Sequence, residues 1–189
     1  AKPPSVELIA IGCSTGGPSA LGQLLGALPA DLGVPVLDAQ HMAAGLTASL
    51  ARWLASRSAL TVREACAGAA IRPGEVLIGP GGAHMCVERT RGGARALLQL
   101  APPLVLAPSV DALFESAVQT YGGAVLGLVL TGMGSDGLRG ARAVRRAGGY
   151  AIAQDQASCA VFGMPRALIE TGEADEVVAL CDLAARVEA

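Results

Sequence analysis

The stretch Val6–Leu28, VELIAIGCSTGGPSALGQLLGAL, decides the fold. Its first part, Val6–Gly12, is a short apolar run that ends in glycine, which predicts a buried strand. After the turn, leucines recur at helical spacing as far as Leu28, and Pro18 suits the first turn of a helix. The stretch therefore predicts a strand, a tight turn and a helix in direct succession.

The same alternation continues along the chain. Val34–Gln40 predicts a second strand, and a helix with one apolar face follows over about residues 45–56. Ser109 is a good N-cap for a helix over Val110–Tyr121, and the almost wholly apolar Ala124–Thr131 is typical of a central parallel strand. Strands that alternate with helices predict an α/β fold: a doubly wound, mostly parallel sheet with helices on both faces.

The segment between Thr61 and Leu100 has a different sequence pattern, in which short strands follow one another without helices. This pattern predicts an antiparallel addition. Short strands are expected at Thr61–Ala65 and Glu75–Gly79, and Ala83–Thr90 faces Ala94–Leu100 as in a hairpin. The remaining expected elements are a helix from Gly137 to Ala147, a strand at Tyr150–Asp155, a helix at Pro165–Thr171, a strand at Glu176–Leu180 and a terminal helix.

Composition excludes several classes of protein. The 189 residues are 52% hydrophobic and 16% charged, which excludes disorder and fits one domain. We expect residues 1–5 to form a linker or tail and residues 6–189 to form a single domain. A net charge of -2 offers no basic field, so nucleic acid and anionic lipid are not expected partners.

Location and cofactors follow from similar arguments. No stretch of about 20 predominantly apolar residues and no signal peptide is present, which predicts a cytoplasmic protein without membrane insertion. The 5 cysteines include no Cys-x-x-Cys pair and suit reduced thiols, and the 2 histidines argue against a structural zinc site. We therefore expect no metal.

The turn after the first strand carries the first candidate for chemistry. Gly12-Cys13-Ser14-Thr15-Gly16 fits Gly-x-Ser-x-Gly at a strand-to-helix junction, where ligands of parallel sheets bind. Small neighbours allow a sharp turn that exposes Ser14, and the next helix supplies N–H groups near an oxyanion. The turn could equally serve strand–helix packing or bind phosphate, although it lacks the Gly-Lys-Ser/Thr of a Walker A loop.

His41 follows the second strand and could serve as the base for Ser14, because imidazoles exchange protons near neutral pH. A half-buried histidine that caps the next helix is the alternative. Asp136, in the glycine-rich loop after the central strand, could orient the imidazole or merely cap the following helix. His84 lies in the expected hairpin and is interpreted as a surface or rim residue.

Three other carboxylates compete with Asp136 for the orienting role. Asp38 lies three residues before His41, so strand alternation points their side chains to opposite faces. Asp111 falls in the first turn of a helix, where a carboxylate favours the macrodipole. Asp155 ends a strand and remains a weaker alternative.

Ordered motifs along nearly the whole chain resemble the CheB-type protein-glutamate methylesterases, specifically their catalytic domain. The matching segments are Ala10-Ile11-Gly12-Cys13-Ser14-Thr15-Gly16-Gly17-Pro18, Gln40-His41-Met42, Pro80-Gly81-Gly82-Ala83-His84-Met85, Pro108-Ser109-Val110-Asp111-Ala112-Leu113-Phe114, Leu130-Thr131-Gly132-Met133-Gly134-Ser135-Asp136-Gly137, Ala153-Gln154-Asp155-Gln156-Ala157-Ser158 and Phe162-Gly163-Met164-Pro165-Arg166.

The resemblance implies a cytoplasmic serine hydrolase of chemotaxis that demethylates glutamyl γ-esters on chemoreceptor helices and can deamidate glutamines. It implies Ser14 as nucleophile, His41 as base and Asp136 as orienter, with the Met133 N–H as oxyanion donor and Thr15 beside the nucleophile. No metal or organic cofactor is implied. Family members commonly carry a receiver domain; none is expected within this chain, and Lys2–Ser5 could be a linker remnant or a natural start.

The chain departs from the family pattern at three places. Ala43-Ala44 and Leu46 stand where the family usually has two prolines and an aromatic after the histidine. Leu104–Ala107 makes a usually polar, basic rim apolar, and Asp38 replaces an aliphatic strand residue. These changes motivate a second hypothesis, a non-catalytic signalling interaction module on the same scaffold. A third, a nucleotide- or anion-binding domain, lacks the P-loop lysine.

Overall fold

The computed structural model describes residues 5–102 and 105–188. Nine strands and six α-helices lie within these ranges, together with a short 3-10 helix at Leu180–Asp182. The strands are β1 Leu8–Cys13, β2 Val36–Gln40, β3 Thr61–Glu64, β4 Glu75–Ile78, β5 Ala83–Thr90, β6 Gly93–Leu100, β7 Val125–Val129, β8 Tyr150–Gln154 and β9 Glu176–Val178. The helices are α1 Gly17–Ala27, α2 Thr47–Ala55, α3 Val110–Tyr121, α4 Leu138–Arg146, α5 Met164–Glu170 and α6 Leu183–Glu188.

Seven strands form one parallel sheet in the order β3-β4-β2-β1-β7-β8-β9. β1 lies at the centre between β2 and β7, and the residues of these three strands are buried throughout. This explains the continuous apolar character of β1 and β7, because a central parallel strand is covered on both faces. The predicted α/β architecture is confirmed.

Alternate residues of each strand supply two separate cores, as the two-residue period of a strand requires. One face of the sheet packs on α1, α2 and α6 through residues such as Ile9 and Ile11. The other face packs on α3, α4, α5 and the β5–β6 hairpin through residues such as Leu8 and Ala10. Chain order reverses beside β1, whose neighbours are β2 on one side and β7 on the other. Parallel sheets bind ligands at such switch points.

The predicted hairpin is present, but the extent of the antiparallel addition was wrong. β5 and β6 form a separate antiparallel pair, whereas β3 and β4 are parallel strands of the main sheet. A parallel connection needs a crossover, and residues 65–74 provide one without a helix. Backbone bonds from Gly68 and Ile71 to β6 hold this loop against the hairpin.

Within the described ranges, no helix combines the length and apolar character that crossing a bilayer would require.

Candidate active site

Ser14 and His41 follow directly after neighbouring strands. β1 and β2 pair in register as far as Cys13 and Gln40, and the His41 N–H then donates to the Cys13 carbonyl over 2.9 Å. On the other side, the Ser14 N–H donates to the Thr131 carbonyl over 3.0 Å. The sheet register thus places the two candidate residues side by side at its carboxyl edge.

Glycines make room for Ser14 and for the elements around it. Gly16 has a φ of 84°, a left-handed conformation that turns the chain into α1. A methyl group on Gly132 would lie 2.7 Å from Ser14 Cβ, and one on Gly12 would lie 2.1 Å from Val110 Cγ1. The glycines of the predicted turn therefore serve close packing as well as sharp geometry.

His41 is in contact with Asp136. His41 Nε2 lies 2.7 Å from Asp136 Oδ2, and the histidine side chain is only 3% exposed. Its other ring nitrogen, Nδ1, is buried and has no hydrogen-bond partner among the described residues. Within the same ranges no hydrogen bond joins Ser14 Oγ to the ring. When Nε2 carries the proton that Asp136 accepts, Nδ1 is left with a free lone pair.

Asp136 is held by the N-terminus of α3. Its Oδ2 accepts the Val110 N–H at 2.8 Å, and its Oδ1 accepts the Asp111 N–H at 2.9 Å and the Ser109 hydroxyl at 3.2 Å. Burial opposes ionisation of this carboxyl, but the bonds from His41, Asp111 and Val110 outweigh it and lower its pKa to about 2. The carboxylate is therefore ionised and fixed in orientation.

Asp111 does for α4 what Asp136 does for α3. Asp111 Oδ1 accepts the N–H groups of Gly137 at 2.9 Å and Gly140 at 2.7 Å, at the start of α4. Asp136 thus caps the helix that contains Asp111, and Asp111 caps the helix that begins just after Asp136. The sequence alone explains Asp111 by the macrodipole of its own helix and does not predict these contacts. They depend on residues at least 25 positions away in sequence.

His84 has a place that the sequence did not reveal. Its Nδ1 accepts the Ser109 N–H at 3.1 Å, so the half-buried histidine fixes the residue whose hydroxyl donates to Asp136. The hairpin packs on α3 and brings His84 there. This contact could not be predicted from the sequence. The alternation of residues in a hairpin does not show which helix the hairpin packs against.

The other competing carboxylates point elsewhere. Asp155 Oδ1 accepts the Ser158 N–H within its own loop. Asp38 is fully buried, with Oδ1 3.4 Å from Cys13 Sγ and Oδ2 without a partner among the described residues. Burial, only partly offset by the thiol, raises the pKa of Asp38 to about 7. Near neutral pH the Asp38 carboxyl is therefore protonated in part of the molecules.

The remaining predicted residues line the opening of the site. Thr15 is exposed, and its carbonyl accepts the Thr131 hydroxyl at 2.9 Å. Met133 is 74% exposed at the start of the loop that leads to Asp136. Of the expected apolar rim, Val105 and Leu106 are exposed, while Leu104 lies outside the described residues, as do the first four residues of the expected linker.

Comparisons with known proteins show which family the chain is similar to. Residues 9–187 match the family model described as CheB methylesterase. A crystal structure of the CheB methylesterase catalytic domain of Thermotoga maritima is 38% identical, with a TM-score of 0.93, and the match covers 97% of this chain and 98% of that one.

Curated relatives carry the name protein-glutamate methylesterase/protein-glutamine glutaminase. The relative from Moorella thermoacetica is 48% identical over 98% of this chain and 44% of its own length. Those from Symbiobacterium thermophilum and Bordetella pertussis are 48% and 47% identical, over 94% and 97% of this chain and 49% and 53% of their own lengths. The chain thus spans about half the length of these relatives, and it belongs to the CheB methylesterase family.

Proposed function

We propose that this chain is a serine hydrolase that removes methyl groups from glutamyl γ-methyl esters on chemoreceptor helices. The observation that carries the proposal is the buried His41–Asp136 pair at the strand end next to Ser14. Family membership and the names of the relatives support the choice of ester. The same names support a second reaction, deamidation of glutamine side chains.

The chemistry follows from which ring nitrogen is free. Asp136 accepts the proton of Nε2, so Nδ1 takes the proton of Ser14 as its oxygen attacks the ester carbonyl. The Met133 N–H stabilises the oxyanion that forms. His41 then returns the proton to the departing methoxide, and methanol leaves. A water activated in the same way breaks the acyl–serine ester and releases the glutamate carboxylate; from glutamine, ammonia leaves instead.

The serine–histidine hydrogen bond is expected to form as substrate binds. Such bonds are often long or poorly aligned until the substrate is in place. Nδ1 is already buried and unpartnered among the described residues, so no competing donor has to be displaced. A receiver domain in a longer protein is the proposed regulatory partner.

Methanol release from a methylated chemoreceptor fragment tests the proposal. Ser14→Ala should lower the rate by roughly three to six orders of magnitude at unchanged thermal stability. Ser19→Ala, which changes an exposed serine of α1, is the matched control and should retain the native rate. Release that survives in the folded Ser14→Ala variant would rule out the proposed nucleophile.

The exposed apolar rim favours the alternative, a binding module without catalysis. Val105, Leu106 and Leu46 are 49%, 60% and 56% exposed. This alternative predicts receptor binding that Ser14→Ala leaves intact, with no methanol from the native chain.

A further inference from the structure

Gln40 ends β2 directly before His41, and its side chain is 1% exposed. Its amide nitrogen lies 3.0 Å from the Ser14 carbonyl oxygen and 2.9 Å from the His41 carbonyl oxygen. One NH2 group therefore donates both of its hydrogens to the backbone of the two residues assigned to nucleophile and base.

This side chain replaces a missing part of the sheet ladder. The bond from the His41 N–H to the Cys13 carbonyl is the last one between the backbones of β1 and β2. Beyond it the chains diverge, β1 into α1 and β2 into the loop that leads to α2. Gln40 is the donor to the His41 carbonyl, whereas the Ser14 carbonyl also accepts the Gly17 N–H at 2.8 Å, so Gln40 adds a second bond there.

Two further contacts fix the orientation of the amide. Gln40 Oε1 lies 3.1 Å from Cys13 Sγ, which is also 3.4 Å from Asp38 Oδ1, so the oxygen end of the amide faces the thiol and the NH2 end faces the carbonyls. Gly17 borders the same space: a methyl group there would lie 2.0 Å from Oε1 and 2.9 Å from Cys13 Sγ. The φ of Gly17 is one that other residues also adopt. Glycine is required at this position because the Gln40 side chain occupies the space that a larger residue would need.

We propose that Gln40 is a positioning residue that holds Ser14 and His41 at reacting distance by bridging their two backbone carbonyls. This inference rests on the proposed function, because it assigns Ser14 and His41 as nucleophile and base. Gln40 touches neither substrate nor reacting atoms; it acts through the backbone of the two residues that do. Loss of the bridge should slow the chemical step and leave substrate binding intact.

A fluorophosphonate ester tests this role without any receptor substrate. The Ser14 oxygen forms a bond to phosphorus, fluoride leaves, and His41 takes the serine proton. Gln40→Met keeps the length and volume of the side chain but removes both donors. Its maximal labelling rate should fall about 100-fold, as misplacement by about an ångström can cause, while the probe concentration for half-maximal rate changes less than about threefold.

Ser116→Ala is the control for a lost buried hydrogen bond. The Ser116 hydroxyl accepts the Val87 N–H at 2.9 Å and donates to the Leu113 carbonyl, away from Ser14. This variant should lose comparable thermal stability and label at the native rate. Labelling of folded Gln40→Met within about threefold of native, or an equal loss in Ser116→Ala, would overturn the role of Gln40.

Gln40→Glu provides a second test if the methionine variant does not fold. It keeps the shape and the acceptor for Cys13, but it places an oxygen against two carbonyl oxygens; the same criteria apply. A native chain that labels at Ser14 without releasing methanol overturns the proposed substrate alone. A native chain that does not label at Ser14 overturns the nucleophile and, with it, the role of Gln40.

Discussion

Asp136 orients His41 with the same oxygen that accepts the first N–H of α3. Its second oxygen accepts the Asp111 N–H and the Ser109 hydroxyl, so every direction of the carboxylate is occupied by a donor. An ionised carboxylate with four donors cannot rotate without losing one. The residue therefore defines both the tautomer and the plane of the imidazole.

Asp136→Asn should lower turnover by about 10³- to 10⁴-fold, because an amide presents N–H groups to donors and disfavours the proton on Nε2. Methanol release measures the effect. Asp155→Asn changes a carboxylate at another strand end that bonds only within its loop, and it should keep the native rate. Turnover of Asp136→Asn within tenfold of native would contradict the orienting role.

Asp38 makes stability depend on pH. Its pKa rises from 3.8 in the unfolded chain to about 7 in the fold, so the folded state holds a proton that the unfolded state loses. The free energy of unfolding should therefore fall as pH rises from about 4 to about 7 and level off above that, by up to about 4 kcal/mol. The fall is absent if Asp38 is replaced by asparagine.

Urea unfolding at about pH 5 and about pH 8 measures this difference for the native chain and Asp38→Asn. The exposed Asp31 supplies the control, and Asp31→Asn should keep the native dependence. An identical slope in native and Asp38→Asn proteins would show that the buried carboxyl does not retain its proton.

The elements at the site meet through glycine contacts. The first residue of α3, Val110, lies against Gly12 at the end of β1, and this approach carries the helix N-terminus to Asp136. A larger residue at position 12 would separate the helix from the strand. The distance between β1 and α3 is thus set by a missing side chain.

Gly12→Ala should destabilise the fold by roughly 1–3 kcal/mol through overpacking, and it should slow methanol release by displacing Asp136. Gly33→Ala is the matched change, since nothing lies within 4 Å of an added methyl group there and no left-handed φ is involved. Thermal unfolding of both variants checks the expectation. Equal melting temperatures would mean that α3 shifts without cost.

A helix or strand is predictable when the residues that define it lie within its own stretch of sequence. α3 begins and ends where predicted, because Ser109 caps it and Gly122 ends it within the sequence itself. β3 and β4 were wrongly assigned to the antiparallel addition. They pair in parallel because the loop between them crosses over and packs on the hairpin. Short apolar runs show that a strand forms and leave its direction open.

The same limit applies to the site. Ser14, His41 and Asp136 follow strands at one edge of the sheet, so topology alone places them near one another. The role of Gln40 and the contact of His84 with Ser109 depend on side chains that meet across elements. A buried strand position that carries a glutamine was the one available signal for Gln40.

The whole molecule is a central parallel sheet between two cores, with weaker cover at its edges. β1 and β7 are buried throughout, whereas β9 has only three residues and an exposed Val177. The edge that carries the proposed active site therefore belongs to the most deeply buried part of the sheet.

Native-state hydrogen exchange should show this gradient. Amides of β1 and β7 should exchange only through global unfolding, while those of β9 and of the hairpin turn should exchange through local opening. Peptide-resolved mass spectrometry can distinguish the two groups. Protection of β9 equal to that of β1 would contradict the expected order.

Asp136 caps the helix that contains Asp111, and Asp111 caps the helix after Asp136. This arrangement affects which substitutions the protein can accept during evolution. Functional side chains often destabilise the fold, so replacing them yields a protein that is more stable but inactive. Here the carboxylate assigned to catalysis also satisfies the backbone of a neighbouring helix. A substitution at Asp136 is expected to lower turnover and stability together, so a search for more stable variants would retain the residue even with no selection for activity.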